Sequence, residues 1–192
     1  MPASEHQKKN PVLYVFFGMI ATGKSTLAMA WSRHKQLQYF NSDRVRKELA
    51  GIKPTKSQRD TVDSGIYTGE FSRITYKALL EKAGAALRQG DSVILDASYQ
   101  CEQDRQDART LAKNLNSRVC FILCQCSEDE MRHRMTQREQ DPSAVSDGRW
   151  EIYLKQKQRF EPPVELAKSE LITIDTRAPL AKLLEELDKK LP

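Results

Sequence analysis

Five short apolar runs, separated by longer stretches of mixed polarity, divide this chain into a regular alternation. The first run is Val12-Leu-Tyr-Val-Phe-Phe17, the third Ser92-Val-Ile-Leu-Asp96 and the fourth Arg118-Val-Cys-Phe-Ile-Leu-Cys124, with shorter ones at Leu37–Asn41 and Leu171–Asp175. Apolar runs of this length without strict alternation predict strands buried on both faces, as in a parallel sheet. Between them the period changes. Glu70–Arg88 places Phe71, Ile74, Ala78, Leu79, Ala86 and Leu87 mostly three or four residues apart and stops at Gly90, which predicts a long helix. Ser42–Gly51, Glu102–Leu115, a capping box Ser127-Glu-Asp-Glu130 leading to Arg138, Gly148–Phe160 and Leu180–Leu191 predict further helices. The fold expected is α/β, a three-layer sandwich whose five-stranded parallel sheet has helices on both faces. Two polar stretches fit neither period. Ile52–Gly69 is long for a connection in a compact domain and is expected to be a lid or substrate loop; Glu139–Asp147 is expected to be mobile.

The junction after the first run carries the clearest chemistry. Gly18-Met-Ile-Ala-Thr-Gly23-Lys24-Ser25 fits G-x-x-x-x-G-K-[ST], placed between a predicted strand and the helix-prone Thr26–Trp31. Glycines at 18 and 23 let the backbone turn its N–H groups toward phosphate oxygens. Gly18, Ala21, Thr22, Gly23 and Thr26 would form the cradle. Lys24 would bring a point charge to the β- and γ-phosphates, and the Ser25 hydroxyl would hold Mg²⁺.

Composition then narrows the class. With 192 residues, one domain from residue 12 to 192 is expected behind a disordered polar leader, 1–11. The absence of a long apolar run or a hydrophobic leader predicts a cytoplasmic protein away from membranes. Cys120, Cys124 and Cys126 fall on one strand face without a histidine at ligand spacing, so they are expected to be small buried hydrophobes rather than disulfides or metal ligands. A net charge of +5 permits nucleic acid without requiring it.

The remaining candidates lie at the carboxyl ends of strands, where open parallel sheets bind ligands: Asn41-Ser42-Asp43, Asp96 and Asp175-Thr176. Asp43 is either a general base for an attacking hydroxyl or an ordinary helix cap. Arg46, one turn later, faces the same side. Asp96, the sole acid of its strand, could hold a metal-bound water and meet the acceptor. Arg134 and Arg138, four apart on one helix, could close over a triphosphate. Tyr67, Tyr76, Tyr99 and Arg105 could shape an acceptor pocket.

Gly18–Ser25, Asn41-Ser-Asp-Arg-Val-Arg-Lys-Glu-Leu-Ala-Gly51, Gly65-Ile-Tyr67, Val93–Ser98, Arg134–Arg138 and Ser146-Asp147 together resemble the P-loop kinases found alone or fused to aminoglycoside-phosphotransferase-like domains. The layout is also similar to phage polynucleotide kinase and, more distantly, to zeta-toxin kinases. The resemblance implies an ATP- and Mg²⁺-dependent kinase with Asp43 as base, Arg46 on an acceptor phosphate and Arg134 and Arg138 as lid arginines. It also implies that the donor's base lies between that lid and the Thr176–Pro179 turn. Gly148 and Ser98-Tyr99 depart from the family's usual alanine and Thr-Phe. The expected acceptor is a small hydroxylated molecule; a 5′-hydroxyl nucleic-acid end is the second choice, and a nucleotide-binding module without transfer the third.

Overall fold

The computed structural model describes residues 10–53, 65–139 and 150–192. In chain order the elements are β1 (Val12–Phe17), α1 (Lys24–Lys35), β2 (Gln38–Asn41), α2 (Ser42–Leu49), α3 (Gly69–Gln89), β3 (Val93–Asp96), α4 (Glu102–Asn114), β4 (Arg118–Gln125), α5 (Glu128–Glu139), α6 (Trp150–Arg159), β5 (Leu171–Asp175) and α7 (Leu180–Lys190). The strands form one parallel sheet in the order β2-β3-β1-β4-β5. The expected α/β sandwich is therefore observed, with strand and helix ends within a few residues of those read from the periods.

Every residue of β1 is buried, and the strand's period of two divides them between the two faces of the sheet. Leu13, Val15 and Phe17 pack with Leu79, Leu87 and Ala108, from α3 and α4. Tyr14 and Phe16 pack with Leu27 and Trp31 of α1 and with Leu183 and Leu187 of α7. Removing most of one such side chain would cost about 2–5 kcal/mol. A third, smaller cluster joins Ile20 and Ala21 of the loop after β1 to Met131 and Met135 of α5 and Tyr153 of α6.

Local signals account for several ends. Thr68 caps α3 by accepting from the Phe71 N–H at 3.2 Å, and Gly90 closes that helix at φ 86°. At α5, Ser127 accepts from the Glu130 N–H at 3.4 Å, but the reciprocal half of the predicted box is not made. The Glu130 carboxylate instead takes the Arg134 Nε–H at 2.7 Å. Cys120 and Cys124 are buried, Cys126 is half-buried beyond the strand, and all four cysteines are free. Among the described residues no group of three or more metal-ligating His, Cys, Asp or Glu side chains occurs, and no helix is long and apolar enough to cross a membrane. The polar leader up to residue 9, most of the 52–69 stretch and Ser146, Asp147 and Gly148 lie outside the described residues.

Candidate active site

The loop between β1 and α1 has the backbone of a phosphate cradle. Gly18, Ala21 and Gly23 have φ of 137°, 60° and 81°, turns that bring N–H groups to one side. A Cβ on Gly18 would lie 2.3 Å from the Cys124 carbonyl oxygen, so β4 packs too closely to allow one. A Cβ on Gly23 would lie 2.8 Å from Nη1 of Arg134 and 3.1 Å from Oγ1 of Thr176. Gly23 is also the N-cap of α1, with no side-chain cap and no acid in the first turn. The positive end of that helix is therefore available to an anion.

On one side of the loop, a cleft of about 450 Å³ is lined by Gly23, Thr26, Arg134, Gln137, Thr176 and Ala178, among others. Arg134 is firmly placed there. Its guanidinium donates to Thr176 Oγ1 at 3.0 Å, the Thr176 carbonyl at 2.9 Å and the Ala21 carbonyl at 3.4 Å, while Glu130 holds Nε. The buried Thr176 hydroxyl donates in turn to the Thr22 carbonyl at 2.6 Å. Arg134, Thr176 and the loop thus form one hydrogen-bonded unit. Arg138 occupies the last turn of α5, and its side chain lies outside the described residues.

On the other side lies a cavity of about 380 Å³, whose lining includes Lys24, Ser25, Asp43, Arg46 and Tyr67. Asp43 is not the helix cap. That role belongs to Asn41, whose Oδ1 accepts from the Arg44 N–H at 3.1 Å. Burial raises the Asp43 carboxyl above its ordinary range, against the opposing pull of Lys24 and Arg46. Arg46, only 7% exposed, donates to the Ile66 carbonyl at 2.8 Å and Ser72 Oγ at 3.2 Å, and lies 5.2 Å from the centre of the Tyr67 ring. Its Nε is buried without a partner.

Beneath this cavity, Asp96 is fully buried at the end of β3. Its Oδ2 accepts from Tyr39 Oη at 2.6 Å and Asn41 Nδ2 at 2.7 Å, while Oδ1 is buried without a partner. Burial and the adjacent Asp96 push the Tyr39 hydroxyl far up, so it stays a donor. Asp96 does not line the cavity. Its expected direct acceptor contact is therefore corrected: Asp96 supports Asn41, which does line it.

Arg105 also requires correction. Although read as an acceptor-pocket residue, it is fully buried, donating to Glu165 from Nε and Nη2 at 2.5 and 3.1 Å and to the Tyr99 carbonyl from Nη1 at 2.9 Å. It lies outside the cavity lining and ties α4 to the segment before β5. Tyr99 is itself fully buried at φ 41°, an uncommon conformation for a bulky residue, and the Tyr76 hydroxyl accepts its N–H at 3.0 Å. Of the predicted aromatics, Tyr67 and Tyr76 reach the cavity. Sequence reasoning placed Asn41 at the strand end without its role as cap, and missed the parts played by Glu130 and Gln156. Only the Glu130–Arg134 pair carried a readable signal, its i,i+4 spacing.

The sheet order, the glycine-framed loop and the uncapped helix behind it define a P-loop NTPase fold. The family model described as an AAA domain matches residues 13–163, and the chain belongs to that family. An uncharacterized protein of Mycobacterium tuberculosis is 32% identical over 137 residues, which are 71% of this chain and 28% of that relative's length. Among solved structures, a Chloroflexus aurantiacus protein superposes with a TM-score of 0.71 at 20% identity, covering 96% of this chain and 100% of the other. A sugar kinase from Janibacter sp. gives 0.65 at 19%, covering 94% of each chain. The Mycobacterium tuberculosis APS kinase, solved with AMPPNP and APS, gives 0.65 at 14%, covering 95% of this chain and 97% of the other.

Proposed function

We propose that this protein is an ATP-dependent kinase that transfers the γ-phosphoryl group to a hydroxyl of a small acceptor. It would be a relative of the kinase domains carried beside aminoglycoside-phosphotransferase-like domains. The observation that carries this reading is the placement of Lys24, Ser25 and Asp43 on one cavity, with Asn41 doing the capping that would otherwise explain Asp43. The triphosphate would lie along the loop, with its nucleoside end in the cleft beside Arg134 and Thr176. The acceptor oxygen attacks the γ-phosphorus, the bond from that phosphorus to the bridging oxygen breaks, ADP leaves, and Asp43 takes the hydroxyl proton.

Lys24 neutralises phosphate charge, and Arg134 and Arg138 would stabilise the charge that develops during transfer. Mg²⁺ held here would supply positive charge to offset that of the phosphates. The donors present suit that ion: the Ser25 hydroxyl, and the unpartnered Asp96 Oδ1, which could hold it through water. The neighbouring folds solved as a sugar kinase and an APS kinase support a small acceptor.

A second acceptor, the 5′-hydroxyl end of a nucleic acid, is favoured by the cavity's charge. Among the described residues, five cationic side chains (Lys24, Arg46, Arg73, Lys155 and Arg159) line it against two acids, Asp43 and Asp104. Magnesium-dependent transfer from γ-labelled ATP, offered in parallel to 5′-hydroxyl oligonucleotides and to a library of nucleosides, sugars and aminoglycosides, tests the reading. Label is expected in the small-molecule fraction and is lost in Asp43→Ala. Label on the oligonucleotide, with affinity falling steeply as salt rises, moves the assignment to a polynucleotide kinase. No label in any fraction overturns the kinase reading and leaves a nucleotide-binding module.

A further inference from the structure

Helix α6 reaches the phosphate loop through one side chain that the proposed chemistry has not used. The Ile20 N–H, third residue of the glycine-framed loop, donates to Gln156 Oε1 at 2.8 Å. The two positions are 136 residues apart in sequence, so only the fold could bring them together. The Ile20 N–H can only donate, and the atom facing it must therefore be the amide oxygen. This fixes the other end of the amide. Gln156 lines the cavity with Lys24, Ser25 and Asp43, and its Nε2 makes no hydrogen bond to the described residues. A two-hydrogen donor, held by its own oxygen, thus stands at the cavity where a phosphoryl group would pass from Lys24 toward Asp43.

The helix carrying this donor is well anchored. Tyr153, one turn earlier, is buried against Ile20 and Ala21. Its hydroxyl donates to Glu128 Oε2 at 2.9 Å, and Lys157 donates to the same oxygen at 2.9 Å, joining α6 to α5. Arg132 of α5 stacks 3.6 Å from the centre of the Trp150 ring at the start of α6. Because α5 also carries Arg134, which holds the Ala21 carbonyl, the two helices grip consecutive loop residues from opposite polarities. Arg134 donates to the carbonyl of Ala21, and Gln156 accepts from the amide of Ile20. A donor placed in this way loses little freedom when it meets an oxyanion.

We propose that Gln156 contacts the γ-phosphoryl group: its oxygen orients the amide on the Ile20 N–H, and its nitrogen donates to the phosphoryl oxygen that is absent from a diphosphate. The proposal rests on the kinase reading and makes Gln156 the residue by which α6 distinguishes ATP from ADP.

The test is calorimetric titration of wild type, Gln156→Glu and Gln156→Met with ADP and with AMPPNP, each with Mg²⁺. Glutamate keeps an acceptor for Ile20 but has no amide donor, whereas methionine has neither and adds no charge. The preference for AMPPNP over ADP is expected to fall about ten-fold or more in both variants, the equivalent of one charge-assisted hydrogen bond. An unchanged preference in Gln156→Met, with both affinities falling together, shows that Gln156 only supports the loop and overturns the inference. A loss confined to Gln156→Glu is simple charge repulsion and also overturns it. Both leave the kinase reading intact. A wild type that binds neither nucleotide overturns the kinase reading, and this inference with it.

Discussion

The two sides of the phosphate loop are built on opposite terms. On the side proposed for the nucleotide the polar groups are already committed: Arg134 bonds to Glu130, Thr176 and Ala21, and Thr176 bonds to Thr22. On the acceptor side the buried polar atoms include several without partners: Arg46 Nε, Gln100 Oε1 and, just beneath, Asp96 Oδ1. Burying such groups unpaired costs on the order of 1–3 kcal/mol each. Two further unpartnered atoms among the described residues, Trp31 Nε1 and Tyr99 Oη, lie in the core instead. On the proposed reading, the nucleotide half is a socket whose polar groups are already paired, and the acceptor half holds polar groups for its ligand to pair.

This contrast can be broken most decisively at Asp43. Asp43→Asn is expected to lower kcat by about 10²–10⁴-fold with the KM for ATP changed little, measured by initial rates with labelled ATP. A matching loss of ATP affinity would mean that the two halves are not separate. In the nucleotide half, Arg134→Lys is expected to cost about 10²–10³-fold in kcat, because a point charge cannot reproduce the fork that spans Thr176 and Ala21. Its effect on the KM for ATP should exceed that on the KM for the acceptor.

Away from both halves, Arg105→Met leaves the half-buried Glu165 carboxylate and the Tyr99 carbonyl without their guanidinium partner. A loss of about 3–5 kcal/mol is expected in urea unfolding, with unchanged kinetic constants in the protein that remains folded. A change in acceptor KM instead would return Arg105 to the acceptor pocket. Gly18→Ala should cost about 1–3 kcal/mol and weaken nucleotide binding, since φ is 137° and Cys124 blocks the space. At Gly51, φ is 68° but nothing lies within 4 Å, so alanine should cost roughly 1 kcal/mol there and leave binding alone.

The smallest effect concerns pH. The folded-state pKa of Asp43 lies above its ordinary value of 3.8, so the folded chain holds that proton longer than the unfolded one. Stability contributed by this group is present below the ordinary value and is lost as pH rises through the folded one. Asp43→Asn should therefore gain stability relative to wild type at neutral pH and lose that gain in acid, as followed by thermal unfolding. The acid limb of the pH–rate profile should lie above the ordinary aspartate range.

Much of this was legible because it is local. The apolar run Val12–Phe17, the glycines at 18 and 23 and the stop at Gly90 announce themselves within a few residues. What stayed hidden depends on neighbours distant in sequence. From the sequence Asp43 reads as base or cap alike; the structure gives the cap to Asn41, whose side chain the register of β2 on β3 sets beside Asp96. Arg105 looked like a pocket residue because its partner lies 60 positions away. Gln156, on a polar helix face, gave no sign of the loop it touches.

The place of β1 in the sheet also bears on how the chain reaches its fold. It is the first of the five strands to be synthesised, yet both its neighbours, β3 and β4, come later. The Val12 N–H donates to Ser92 Oγ, 80 residues on. At about 5–20 residues per second, a ribosome needs roughly 4–16 s to deliver that partner. Throughout that wait a six-residue, uncharged, β-prone segment has neither edge paired, which is the composition of an aggregation-prone stretch. The strand buried along its whole length in the finished core is thus a liability of the nascent chain, and recovery of soluble protein should depend on translation speed and chaperone supply.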